Sequence, residues 1–145
     1  MSIQSHTFAL SLVLSVGITM AHAAVPVEVF KSPYCGCCEQ WMKHLHDNGF
    51  AVQGHSVAEM PADIKKLHIP ESLESCHTAK IGDYVVIGHV PAADIRRLLN
   101  ERPKAVGLSV PGMPASAPGM DDPKVVPFET LLVQPDSTTR IFARH

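Results

Sequence analysis

Three of the chain's four cysteines stand within four residues, in Tyr34-Cys35-Gly36-Cys37-Cys38-Glu39-Gln40-Trp41. The fourth, Cys76, stands in Ser75-Cys76-His77-Thr78, just ahead of a strand-like run. Thiolates attack disulfides and also bind soft metal ions. Metal binding, disulfide exchange and plain stapling are therefore the three uses to weigh. We expect the chain to fold so that Cys76 meets the other three. Cys35 and Cys38 form a C-x-x-C whose second x is itself cysteine, and at a strand-to-helix turn that spacing is a thioredoxin-like redox signature. Unpaired N–H groups and the positive dipole end at a helix start favour thiolate over thiol. That location supports ligation and exchange equally.

The choice of metal follows from the crowding. A tetrahedral zinc site takes ligand pairs spaced C-x₂₋₄-C, because the backbone must turn between them. Cys37 and Cys38 are adjacent, so aiming both at one zinc is strained. Cu(I) accepts two or three soft ligands and lets thiolates bridge several ions. Cys35, Cys37, Cys38 and Cys76 therefore suit a Cu(I)–thiolate cluster better than a single zinc. Soft donors recur in Pro111-Gly112-Met113 and Pro118-Gly119-Met120, a P-G-M unit repeated after seven residues. Thioethers, unlike thiols, form no disulfides. Met113, Met120, His77 and His89 are the further candidates for capping the site or passing metal on.

Each has a plainer reading. The two methionines could pack on the core, and His89 could cap a helix or lie on the surface. Two structural disulfides would use up the cysteines, although adjacent cysteines rarely make clean staples. His44, His46, His55 and His68 read as incidental surface residues, Trp41 and Met42 as core, and Arg96 and Arg97 as a solvated helix face.

The elements that must position the thiols are legible around them. Val25–Lys31 alternates and reads as a strand. From Cys37 to Asn48, Cys38, Trp41, Met42 and Leu45 fall on one helical face, with Gly49 as the stop. Residues 50–57 read as a second strand, completing a βαβ unit. Pro61–Leu67 is a short helix and 70–75 a further turn. Residues 78–81 and 84–87 flank Gly82-Asp83, a hairpin turn. Residues 92–101 form a helix after Pro91. Residues 107–127 carry five prolines and no periodicity, so they are expected to be a loop. Residues 128–133 and 138–143 form a terminal hairpin. This order predicts α/β architecture: a mixed sheet with flanking helices and a C-terminal β-hairpin.

Length and charge narrow the class. With 145 residues and 46% hydrophobic composition, the chain is one domain's worth. Its first 23 residues hold no Asp, Glu, Lys or Arg and run through an apolar core to Ala21-His22-Ala23. This reads as a secretory signal peptide cut after Ala23, leaving residues 24–145 as one domain. The apolar run is too short and interrupted to span a bilayer, so no membrane association is expected after cleavage. Twelve basic against fourteen acidic residues give a net charge of −2, which is no footprint for nucleic acid. Export places the thiols in an oxidising compartment, where a plain pair would become a disulfide.

Taken together, Ser32-Pro33-x-Cys35-Gly36-Cys37-Cys38, Ser75-Cys76-His77-Thr78, Gly88-His89-Val90-Pro91, Gly107-Leu108-x-Val110-Pro111-Gly112-Met113-Pro114, Ser116-x-Pro118-Gly119-Met120 and Phe142-Ala143-Arg144-His145 resemble a small exported metal-binding family. Its described members are the CopG-type copper-resistance proteins of Gram-negative bacteria. The resemblance covers roughly residues 26–145. It implies a thioredoxin-like fold, periplasmic residence, and copper held as Cu(I) by Cys35, Cys37, Cys38 and Cys76. Copper ions, and other periplasmic copper-handling proteins, are the implied partners, with Cu(I)/Cu(II) interconversion a suggested role. The alternative is a periplasmic thiol–disulfide oxidoreductase using Cys35 and Cys38, with Cys37 and Cys76 as a second dithiol.

Overall fold

The computed structural model describes residues 23–120 and 122–145. The expected leader, Ala23 apart, lies outside the described residues. The elements run β1 (Val25–Lys31), α1 (Gly36–Asp47), β2 (Phe50–Ser56), α2 (Ala62–Lys65), a 3₁₀ turn (Glu71–Leu73), β3 (His77–Ile81), β4 (Tyr84–Gly88), α3 (Ala92–Glu101), β5 (Gly107–Val110), β6 (Glu129–Val133) and β7 (Thr139–Arg144). They build one seven-stranded sheet in the order β2-β1-β3-β4-β5-β6-β7. β1 is parallel to β2 and β4 to β5, and every other pairing is antiparallel. The expected mixed α/β sheet with a C-terminal hairpin is the observed one. Among the described residues no helix is long and apolar enough to cross a membrane.

Alternation along β1 puts Val27, Val29 and Lys31 inward. Opposite them on β3 lie Ala79 and His77, paired in register with Val29 and Lys31. Directly opposed residues of an antiparallel pair share a face, so His77 stands on the side that α1 covers. Trp41 and Leu45 of α1, and Ile95 and Leu98 of α3, are fully buried in the same cluster as Val27, Val29, Ala79 and Ile81. Burying a large apolar side chain contributes about 1.5–3 kcal/mol, so these side chains fix both helices to the sheet. Gly49, at φ +81°, takes the left-handed conformation that closes α1, and its N–H donates to the His46 carbonyl at 2.9 Å.

Residues 107–110 correct the expectation of a loop over 107–127. They form β5, parallel to β4 and flanked by β6. All four residues are buried, and an interior strand covered on both faces shows no alternation to read. The remaining stretch is irregular but held by contacts. The Ala117 side chain is buried, and Met120 packs against the core. Ser116 Oγ accepts the Val126 N–H and donates to the Lys124 carbonyl.

Arg96 and Arg97 lie on the exposed face of α3, as read, and each also reaches a neighbouring segment. The Arg97 guanidinium lies 3.7 Å from the Phe142 ring centroid and donates to the Phe142 carbonyl, while Arg96 donates to the Asn48 carbonyl. Buried Asp94 accepts from Thr130 Oγ1 at 2.6 Å and from His145 Nε2 at 2.9 Å, tying β6 and the C-terminal residue to α3. His44, read as incidental, accepts the Ala92 N–H at 3.1 Å and so satisfies one free donor at the start of α3.

The loop's seat on α1 can be tested at Gly119. Its φ is +83°, and a Cβ there would lie 2.5 Å from the Trp41 backbone nitrogen. Gly119→Ala is expected to lower the unfolding free energy by about 1–3 kcal/mol or more. At Gly36 a Cβ meets nothing within 4 Å, so Gly36→Ala should be neutral or slightly stabilising. Equal thermal shifts in the two variants would contradict the close approach.

Candidate metal centre

The three clustered cysteines sit where β1 hands over to α1. Cys35 occupies the position before the helix, with extended backbone (φ −91°, ψ 93°) and no side-chain cap bond. The first-turn N–H groups are thus not claimed by a capping side chain and face the region of the sulfurs. One ligand sulfur from each of Cys35, Cys37 and Cys38 lies within 4.8 Å of the others. Cys35 and Cys38 are joined by a disulfide. Cys37 and Cys76 are free and partly exposed. Cys37 Sγ lies 3.5 Å from Cys35 Sγ.

Cys76 reaches the same end of the sheet through the backbone, its carbonyl accepting the Ser32 N–H at 3.2 Å. Its thiol, however, contacts a different sulfur: Cys76 Sγ donates to Met113 Sδ at 3.5 Å. Among the described residues the compact sulfur group is Cys35, Cys37 and Cys38, with the Cys76–Met113 pair outside it. Met113 is 39% exposed and, although not glycine, has φ +45°. Such a conformation costs of order 1–3 kcal/mol and persists only where the surroundings impose it.

The two histidines beside the site are buried. His77 Nε2 lies 3.0 Å from the Gly88 carbonyl, which can only accept, so Nε2 carries the proton. Its Nδ1 lone pair therefore faces Cys38 Sγ at 3.2 Å. The Trp41 ring packs on His77 at 4.4 Å between centroids, and His89 meets it edge-on at 5.1 Å. Burial, with a smaller contribution from neighbouring His89, pushes the His77 pKa down to about 3. His89 is neither a surface residue nor a helix cap: it is 0% exposed. Its Nδ1–H donates to the Pro118 carbonyl at 2.7 Å, leaving the Nε2 lone pair buried without a hydrogen-bond partner. Burial lowers its pKa, partly offset by the Pro118 bond. Each ring thus has one nitrogen tied to a carbonyl, Nε2 in His77 and Nδ1 in His89, which fixes its tautomer as such bonds do in ligating histidines. His77 touches a cysteine, whereas the contacts of His89 are with the Pro118 carbonyl and the His77 ring. Met120 packs on the core, as its plainer reading had it.

Lys31 was missed. Its side chain is almost wholly buried at the end of β1, and its ammonium pairs with Glu39, one residue past Cys38, at 2.8 Å. The signal was available: Lys31 continues the inward alternation of Val27 and Val29 into the strand end from which the thiols depart. Its pairing with Glu39 ties the end of β1 to the first turn of α1, the two elements between which the thiols stand.

These features define an α/β protein that gathers soft donors at the junction of a strand and a helix. Residues 73–120 match a family model described as "Protein of unknown function, DUF411". No curated protein matches significantly. Two solved structures, titled copper resistance protein copG, Form 1 and Form 2, each match with a TM-score of 0.77 and 39% sequence identity, covering 84% of this chain and 98% of theirs. The chain belongs to this family of CopG copper-resistance proteins.

The buried neutral His77 carries a pH prediction for the metal-free protein. Its folded pKa lies below the ordinary 6.5, so the unfolded chain takes up a proton first as pH falls. The contribution of His77 is complete above 6.5 and is lost as pH falls toward about 3. Burial lowers the His44 pKa as well, so it adds to the loss with the same sign. Denaturant titrations between about pH 7 and about pH 4 should show falling stability, with a shallower pH slope in His77→Gln. An identical slope in the variant would refute the assignment.

Proposed function

We propose that this chain is an exported, periplasmic copper-binding protein that holds Cu(I) through the thiolates of Cys35, Cys37 and Cys38, joined by Cys76. The single observation that carries the reading is the sulfur group itself: three cysteines with mutual ligand distances within 4.8 Å at a helix start, in a chain 39% identical to copper-resistance proteins. The donor set suits the cargo, because thiolate and thioether select Cu(I) over hard cations. Met113, in contact with the Cys76 thiol, extends the soft surface toward solvent. His77 lines the buried side behind Cys38. His89 and Met120 support the site by packing.

We read the part running from β1 through α3 as thioredoxin-like in build, with the Met-bearing loop and the β6–β7 hairpin added to it. Other periplasmic copper-handling proteins would deliver or collect the ion. The bonded Cys35–Cys38 pair also favours a second reading, thiol–disulfide exchange with protein or small-molecule substrates.

Anaerobic titration of the reduced protein with Cu(I) against a competing chelator tests the first reading. More than one chelator-resistant ion is expected, with fewer in Cys76→Ser. If the reduced protein keeps no more than a single weakly held ion, the cluster reading fails. Rapid reduction of a disulfide substrate by the metal-free dithiol form would favour the second.

A further inference from the structure

The same sulfurs serve two mutually exclusive purposes. Cys35, Cys37 and Cys38 make up the compact ligand group, and within it Cys35 and Cys38 are bonded to each other. A disulfide sulfur carries no thiolate charge to offer a soft cation. What then remains is two free thiols, Cys37 and Cys76, the latter set against Met113.

Burial decides how that bond can be reached. Exchange needs a thiolate that can approach one sulfur of the bond and a partner sulfur able to leave. Cys38 is 0% exposed and Cys35 8%, so a partner's thiol has almost no approach to either. Cys37 is partly exposed, and its sulfur already lies 3.5 Å from Cys35 Sγ. On the far side, Cys38 Sγ faces the free Nδ1 lone pair of His77 at 3.2 Å, a ready acceptor for the hydrogen of the Cys38 thiol once it forms. Attacking, attacked and leaving sulfurs and the acceptor are neighbours, and a swing of the partly exposed Cys37 side chain about Cys35 is what brings its sulfur in line with the bond.

We propose that the Cys35–Cys38 disulfide is a redox gate on the copper site, worked through Cys37 by a dithiol–disulfide partner. The gate regulates the site proposed above and rests on that reading. In opening, the Cys37 thiolate attacks Cys35 Sγ. The Cys35–Cys38 bond breaks, a Cys35–Cys37 bond forms, and Cys38 leaves as a thiolate that takes up the proton Cys37 gave up. One thiolate of a reduced dithiol partner then attacks Cys37 Sγ, forming a mixed disulfide and freeing Cys35. The partner's second thiolate displaces Cys37. The partner ends as a disulfide, and all three cysteines are reduced, having gained two electrons and two protons. Closing is the reverse, with a partner disulfide as the two-electron acceptor. Copper then leaves as Cu(I), its oxidation state unchanged.

The test uses the Cu(I)-loaded protein under anaerobic conditions, with oxidised glutathione as the disulfide probe. A chromogenic Cu(I) chelator reports released metal, and alkylation with peptide mass mapping reports the cysteines. Copper is expected to leave in step with formation of the Cys35–Cys38 bond. With dithiothreitol as the reductant, opening of the metal-free disulfide should be slower in Cys37→Ser, on the order of tenfold or more. Copper retained through bond formation, or released while all cysteines remain alkylatable, overturns the gate. Equal opening rates in wild type and Cys37→Ser overturn the role of Cys37. A fully reduced protein that loads no copper overturns the copper reading itself, and is told apart from a gate failure because loading precedes the oxidant.

Discussion

The burial of Trp41 is the constraint on which the rest of the structure depends. Its indole N–H donates to the Val90 carbonyl at 2.9 Å, fastening α1 to the turn between β4 and α3. Its ring packs on His77 of β3, and the loop approaches its backbone so closely that only Gly119 fits there. One residue, through its ring and its backbone, therefore aligns the helix that bears Cys37 and Cys38, the strand that bears His77, and the loop that bears Met113 and Met120. An unpaired buried indole N–H would cost about 1–3 kcal/mol. Helix, turn and loop are thus ordered together.

Chemistry gathers at the resulting corner because three different physical effects coincide. The start of α1 supplies unclaimed N–H groups and the positive end of a dipole. The end of β1 supplies Lys31, held inward by strand alternation and paired outward with Glu39. β3 supplies His77, whose free nitrogen is set by the Gly88 carbonyl. Burial of Lys31 and His77 is costly unless each finds a partner, and Glu39 and the Gly88 carbonyl are those partners. Together the three elements set the sulfurs at a helix start with a water-free side behind them, since Cys38 and His77 have no exposed surface.

Much of this was legible in the chain. Element identity followed from short-range patterns: the inward alternation of β1, the helical spacing of Cys38, Trp41 and Leu45, and Pro91 at the start of α3. The family resemblance drawn from the C-x-C-C and S-C-H-T segments agrees with the solved relatives. Illegible parts were those where a local pattern carries no sign of its partner. β5 has four residues buried between two strands, so alternation had nothing to distinguish. Arg97 shows a helical surface position in sequence, yet the Phe142 ring it covers is 45 residues away. His89 follows a strand and precedes a helix, and only the return of the Pro118 segment buries it.

The sequence by itself determined that four thiols, two of them adjacent, would stand at a strand-to-helix turn and ahead of a later strand, because residue type and spacing are local properties. Only the tertiary structure decided how those thiols divide. It sets Cys35, Cys37 and Cys38 in one group, seats Cys76 against Met113, and lays His77 behind Cys38. That division depends on sheet register and on where a long loop comes to rest. Both are settled by burial of apolar surface between segments distant in the chain, which no spacing within either segment encodes.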